Sequence, residues 1–340
     1  MESNKTVSAM KWVGYATAVL SLIAAIGGLA KTVSSRFETR RQVNALLADE
    51  ALQLKGQDYS TAWQSLEKAA QIDPDSSKIR EAQESLAMEW LENVHLQENE
   101  KFSTIAEKLD PVLARGAASA KSPADQADRL AHLGWSYFLR SRDGNFGLDP
   151  AASYADAIKR DANNPYANAM WGHWILWNNG EFGDAEKRFN AALASHRQQA
   201  FVRRLELSAL MNEDTDRNQE EVIRVANAIR LDNGTIDQDM RHRIYSFYYD
   251  RLSHTGPLTA AFVNAISPAE HVATFQWMFG AMPLDDSGSN LRLYYLCYLK
   301  EAAGQRDEAL AGYQQLKQKI GANRGSLADG VDKGIKRLSR

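Results

Sequence analysis

The 340 residues contain one cysteine, Cys297, 8 prolines and 21 glycines, so little punctuates the chain. A single thiol permits no internal disulfide and no thiolate metal cluster. Cys297 falls in an apolar helical run, where a small buried core residue is expected rather than a nucleophile. Alternating runs of Val, Ile, Thr and aromatics, the mark of half-buried strands, are nearly absent. Positive charge is not in excess either, the formal net charge being −3. Six of the 40 Lys/Arg and two of the 43 Asp/Glu fall within residues 1–41, so the remainder carries about −7. A mildly acidic body lacks the basic stripe that neutralises phosphates, and no nucleic acid partner is expected.

Catalytic punctuation is missing as well. There is no glycine loop ending in Gly-Lys-Ser/Thr, no Gly-x-Ser-x-Gly elbow and no dinucleotide fingerprint. The seven histidines are scattered, with no pair four apart beside a third ligand, so zinc is unsupported. DGNFGLD at 143–149 resembles the start of a calcium loop through Asp143, Asn145 and Asp149. Its twelfth position is Tyr154 instead of a bidentate Glu, and Gly147 is misplaced, so a turn is the better reading. Asp285 and Asp286 read as solvated loop carboxylates. No catalytic residue, cofactor, metal or small-molecule substrate is expected.

What is abundant is Ala, Leu, Glu, Gln, Lys and Arg, all strong helix formers, and the chain reads as all-α. Residues 12–30, WVGYATAVLSLIAAIGGLA, carry no charge and are bracketed by Lys11 and Lys31. At about 1.5 Å per residue this helix is roughly 28 Å long, close to the hydrocarbon thickness of a bilayer. Trp12 and Tyr15 stand at one end, where aromatic rings favour the interface. A transmembrane helix over 12–30 is expected, after a tail at 1–11 and before a basic juxtamembrane helix at 31–42. The rival reading is a cleavable signal peptide ending near Gly28-Leu29-Ala30. Lys31, Arg36, Arg40 and Arg41 follow the span and two lysines precede it, which by the positive-inside rule favours a cytoplasmic body; a periplasmic one is the alternative.

KGQDYSTAWQSLEKAAQIDP at 55–74 places Ala62, Leu66 and Ala69 on one helix face at steps of four and three, ahead of Asp73-Pro74. Gly56 closes the preceding helix over 43–55, with Leu46, Leu47, Leu52 and Leu54. The pattern returns at Ala185, Phe189 and Ala192 after a helix holding Trp171, Gly172 and Ile175. It returns again at Ala309, Tyr313 and Leu316 after LRLYYLCYLKEA. A looser copy has Leu130, Leu133, Gly134 and Tyr137, then Tyr154, Ala157 and Ile158, with about four extra residues in its turn. The spacing W-x2-L-G-x2-Y, A-x3-F-x2-A, P resembles the tetratricopeptide repeat at 43–76, 129–162, 163–197 and 290–320. Asn168 departs from the expected Trp and Glu50 from the expected small residue. Residues 198–289 have helical period without a recognisable repeat. The whole looks like bacterial membrane-anchored repeat proteins with one N-terminal span. The resemblance implies a right-handed α-solenoid of helix hairpins whose concave groove binds peptides or proteins.

The repeat array is expected over 43–325, as one solenoid rather than separate domains, with 326–340 as a capping helix. Leu327, Val331, Ile335 and Leu338 form its apolar stripe, since terminal repeats need a polar outer face. Between the repeats, helices are expected at 78–94 and 103–115, the latter kinked at Asp110-Pro111. AASAKSPADQ reads as a linker with a helix start at Ser122-Pro123, EDTDRNQEE at 213–221 as an acidic turn, 236–251 as an aromatic-rich helix and 283–290 as a loop.

In MWGHWILWNNG, Trp171, Trp174 and Trp177 share one side of a helix, which suits core packing as well as a binding surface. By the resemblance, Trp171 packs inside the hairpin. His173, Leu176 and Trp177 face the groove with Tyr166; Trp135, Phe138 and Leu139 do so one unit earlier, and Tyr294 and Tyr298 in the last. Aromatic anchors suit an extended or helical peptide. Two functions follow: a membrane-anchored scaffold capturing a protein or peptide at the inner membrane, or a permanent structural subunit of a larger membrane assembly.

Overall fold

The computed structural model describes residues 37–340 except 95, 97–99, 145–146, 214, 251–257 and 322–324. The expected tail at 1–11, the span at 12–30 and the start of the juxtamembrane helix lie outside the described residues. Among the described residues there is no strand, and no helix is long and apolar enough to cross a membrane. The helices cluster into two compact units, up to Ser119 and from Ala120 onward, where the sequence suggested one array over 43–325.

The first unit holds α1 (37–55), α2 (Tyr59–Ile72), α3 (Ser77–Glu92) and α4 (Phe102–Ser119). α1 and α2 form the expected hairpin. Val43, Leu46 and Leu47 of α1 pack with Ala69 and Ala70 of α2 and Ile79 of α3. Ala62, Leu66 and Ala69 are fully buried, as the four-and-three spacing requires. Asp58 caps α2 by accepting from the Thr61 amide at 3.1 Å. Leu52, by contrast, points away from the core and is 68% exposed. The left-handed residue of the turn is Gln57 (φ 57°) and not Gly56.

α3 and α4 pack on one another as a second pair that carries no repeat signature. Helix α4 runs through Pro111 to Ser119, four residues beyond the expected end. Proline removes one backbone donor and costs about 3 kcal/mol inside a helix. Burial of Ile105, Leu109, Val112 and Leu113 on both sides of Pro111 outweighs it. The expected linker at 117–126 therefore shrinks to 120–122.

The second unit begins with α5 (Pro123–Ser141), capped by Ser122 with Pro123 in the first turn, as read from the sequence. α6 (Pro150–Arg160), α7 (Pro165–Trp177) and α8 (Phe182–Ala194) complete two hairpins. Gly134 and Gly172 sit where these hairpins pinch. A Cβ on Gly134 would lie 2.7 Å from the Tyr154 ring of α6, and one on Gly172 3.0 Å from the Phe189 ring of α8. Helices α9 (Gln199–Leu210) and α10 (Asp216–Leu231) form a third hairpin in the region without a recognisable repeat. First helices stack side by side, α5 on α7 and α7 on α9. This is the hairpin stacking of a TPR-like array.

The expected acidic turn at 213–221 is mostly helix, because Thr215 caps α10 by accepting from the Asn218 amide at 3.1 Å. α11 (Gln238–Asp250), the single-turn α12 (Ala260–Val263) and α13 (Pro268–Phe279) follow. The last hairpin is α14 (Asp286–Ala302) with α15 (Arg306–Ile320), closed by α16 (Ser326–Leu338). Asp285 caps α14, accepting from the Gly288 amide at 2.6 Å, so the expected loop at 283–290 is already helical from Asp286. Val331 and Leu338 of α16 are buried and Leu327 and Ile335 partly so, as its stripe predicts. The core around Tyr248, Phe262, Phe275, Phe279 and Tyr295 is continuous from Leu207 to Leu338.

Candidate binding surfaces

The seven aromatic and histidine positions singled out in the sequence fall into three places, all in the second unit. Trp135, Phe138, His173 and Trp177 meet between α5 and α7. The Trp135 ring stands edge-on to His173 at 5.1 Å, Phe138 edge-on to Trp177 at 5.5 Å, and His173 stacks on Trp177 at 6.2 Å. Trp135, Phe138 and His173 are 8%, 1% and 5% exposed, so most of this cluster packs hairpin on hairpin. Trp177 is half-buried, with the Arg142 guanidinium 4.9 Å over its ring. Burial, then the nearby Arg142 charge, drive the His173 pKa down to about 3, and its Nδ1 has no hydrogen-bond partner. The ring is therefore neutral.

Trp171 does not fill the hairpin interior. It is half-buried, stacked on Tyr154 of the preceding hairpin at 6.3 Å, with the Arg188 guanidinium of α8 3.9 Å over its ring. Gly172 takes the interior position. Tyr166, half-buried, bridges successive first helices, touching His132 at 4.6 Å and Phe201 at 5.1 Å.

Tyr294 and Tyr298, one turn apart on α14, line a cleft of about 640 Å³ between α12, α14 and α16. Their ring centroids are 6.5 Å apart. Neither hydroxyl makes a hydrogen bond within the described residues. Burial raises the Tyr294 pKa, keeping it a neutral donor. Glu301, Arg337, Asp329, Lys333 and Asn264 complete the wall. Arg337 donates two hydrogen bonds to Glu301, at 2.7 and 2.8 Å. The cleft thus offers aromatic faces, hydroxyl donors and balanced charge, the mixture that suits a peptide segment.

No family model and no curated protein matches the chain. Among solved structures, a tetratricopeptide repeat protein from Parabacteroides merdae is similar at 11% identity and a TM-score of 0.40, covering 88% of this chain and 100% of that one.

A second cleft, of about 520 Å³, lies between α9, the end of α10, the turn at 232–237 and the start of α11. Its floor is Phe201, Leu207, Ile229, Ile236 and Met240, and its rim carries Arg203, Arg204, Asp232 and Asp237. None of these was singled out from the sequence, because residues 198–289 carry no repeat register to align them. The same holds for Glu301, Lys333 and Arg337, which meet only when α16 folds back on α14. Among the described residues no group of three or more His, Cys, Asp or Glu is placed to hold a metal ion. Cys297 is buried, and its burial pushes the thiol up to about 11, which leaves it a core residue.

Proposed function

We propose that this chain is a non-enzymatic scaffold that captures a protein or peptide partner, held at the inner membrane by a span at 12–30 with the helical body on the cytoplasmic side. The fold supports the interaction part of this reading. Helix hairpins stacked on one another serve generally as interaction surfaces, since no single pair hides its apolar face and the array leaves clefts between elements.

The observation that carries the proposal is the Tyr294/Tyr298 cleft. Two phenol rings with uncommitted hydroxyls stand on one helix face, beside Lys333 and a Glu301–Arg337 clamp. Tyr and Arg dominate the energetics of protein interfaces. In this reading Tyr298 and Lys333 touch the partner, Tyr294 floors the site, and Trp177 and Tyr166 extend the surface along the first helices. Trp135, Phe138 and His173 support Trp177 from behind. Large exposed apolar side chains are spread along the chain, Phe37 and Leu52 being 15 residues apart on α1, with Ile72 on α2, Leu231 on α10 and Tyr249 on α11, which favours a scaffold over a permanently buried subunit.

A photoreactive phenylalanine at position 298, and separately at 333, in the full chain in cells tests the site. Both positions are expected to yield the same discrete adduct, which Gln314, exposed on α15, does not. An adduct shared with position 314, or none at either position, overturns the reading. Protease protection of sealed membranes tests the orientation.

A further inference from the structure

Helix α1 has two unlike sides. Val43, Leu46 and Leu47 pack inward with Ala69, Ala70 and Ile79. On the other side Phe37, Arg41, Ala48, Leu52 and Lys55 fall within about 60° of one another at 3.6 residues per turn, and all five are exposed. Phe37 and Leu52 are 66% and 68% exposed, the most open of the large apolar side chains among the described residues. The terminal helix of a repeat array needs a polar outer face. Helix α16, which closes the second unit, has one, with Asp329, Asp332, Lys333 and Lys336 exposed. Helix α1 breaks the rule along its length, from Phe37 through Ala45, Ala48 and Ala51 to Leu52.

The chain around α1 says what meets this face. Residues 12–30 carry no charge, and α1 begins at residue 37. The seven residue steps between them reach at most about 25 Å, so a span at 12–30 brings the start of α1 to the headgroups. Residues 31–55 hold Lys31, Arg36, Arg40, Arg41 and Lys55 against Glu38, Asp49 and Glu50, in a chain whose net charge is −3. Glu38 pairs with Arg41 at 3.2 Å and accepts from Gln42 at 3.3 Å. Glu50 is partly buried, and burial, then the Glu89 charge, raise its pKa. Arg40 and Lys55 make no ion pair among the described residues. We infer that α1 lies along an anionic bilayer surface, with Phe37 and Leu52 below the headgroups and Arg40, Arg41 and Lys55 at the lipid phosphates.

The orientation follows from the stripe. Phe37 and Leu52 stand about 22 Å apart along the helix, so both reach lipid only when α1 lies flat. Large apolar residues on one side with arginine and lysine beside them are the pattern of an interfacial helix. The cytoplasmic leaflet, which the proposed orientation sets against α1, is the anionic one and attracts basic juxtamembrane residues. Tethering by the span makes the contact intramolecular, so a surface too weak to recruit a free helix is enough. The contact rests on the span proposed above and adds to it the side of the first unit that faces the membrane.

The test uses the full chain reconstituted into vesicles of phosphatidylcholine with about one third phosphatidylglycerol, part of the phosphatidylcholine spin-labelled just below the headgroup. Ala48→Cys, and for comparison Gln71→Cys on α2, carry an environment-sensitive fluorophore; both positions are exposed, and buried Cys297 stays unlabelled. Position 48 is expected to be quenched about twofold and position 71 not at all. Arg40→Glu combined with Arg41→Glu, or vesicles without phosphatidylglycerol, should remove about half of that quenching, with helical content unchanged. Equal quenching at 48 and 71, or indifference to both changes, overturns the surface contact. A fluorophore at 48 that is shielded but not quenched also overturns it, by making a second copy or another protein the cover. Failure at 48 in a chain that stays with the vesicles through alkaline carbonate washing leaves the span standing. A chain that washes off overturns the span and the contact together.

Discussion

Arg337 of α16 closes on Glu301 of α14 with two parallel hydrogen bonds, Nε to Oε1 at 2.7 Å and Nη2 to Oε2 at 2.8 Å. The Tyr313 hydroxyl of α15 donates to the same carboxylate at 3.3 Å, so one acidic group joins all three closing helices. The bidentate geometry adds direction to the pair, and partial exposure of both side chains limits its worth to roughly 1–2 kcal/mol. Arg337→Ala should lower the melting temperature of the second unit by about 2–6 °C. Amide exchange should speed up in α16 first. An unchanged exchange rate there would show that apolar packing alone holds the helix.

Two glycines of α15 and α16 are required by proximity, and a third on α8 is not. A Cβ on Gly334 would lie 2.7 Å from the ring of Tyr313, itself fully buried, and one on Gly312 would lie 2.4 Å from Cys297 Sγ. Gly334→Ala and Gly312→Ala should each destabilise by about 1–3 kcal/mol in urea unfolding. Around Gly183, in the first turn of α8, there is open space. Gly183→Ala should stabilise by up to about 0.5 kcal/mol through helix propensity. The opposite signs are the test.

Acid should weaken the second unit from about pH 6.5 downward. His271 is buried; its Nδ1 donates to the Val263 carbonyl at 3.0 Å and its Nε2 accepts from the Tyr248 hydroxyl at 2.9 Å. Burial brings its pKa down to about 4, and that of His173 to about 3. Both rings stay neutral in the folded chain while the unfolded chain takes up protons near pH 6.5, so stability is complete above that value and falls as pH drops. The loss is on the order of 3 kcal/mol for each histidine at full development. Burial raises the pKa values of Asp128 and Glu206, which works in the opposite direction. His173→Phe isolates the histidine part: it should flatten the decline between pH 6.5 and 4 with little change at pH 7.5, because Nδ1 makes no hydrogen bond there. Parallel pH profiles for the variant and the parent would exclude His173 as a source.

The two tryptophans of the α5–α7 cluster should separate. Trp135, packed on Phe138 at 4.9 Å and on His173, should cost about 3–5 kcal/mol when changed to Ala. Half-buried Trp177 should cost less than about 2 kcal/mol. If Trp135→Ala leaves the denaturation midpoint where it was, the cluster is a surface rather than a packing joint.

Much of the architecture was legible in the residues themselves. Ala62, Leu66 and Ala69, or Ala185, Phe189 and Ala192, sit at helical spacing, and a helix that buries one stripe must show that stripe in its sequence. Gly134 and Gly172 marked the hairpin pinches, and Ser122-Pro123 a helix start, because these are local needs met by local residues. The amphipathic helix at 326–338 declared itself for the same reason.

Other features depended on contacts between distant segments. Thr215 and Asp285 turned expected loops into helix starts through a single side-chain acceptor each, and apolar neighbours carried α4 through Pro111. The aromatic stripe is as dense in a joint as in a groove, so sequence left Trp135 and Tyr298 alike. Packing made one a joint between hairpins and the other a cleft wall. The Glu301–Arg337 clamp exists only once α16 has folded back on α14. Helical periodicity reports which side of a helix is buried, and only tertiary packing decides what buries it.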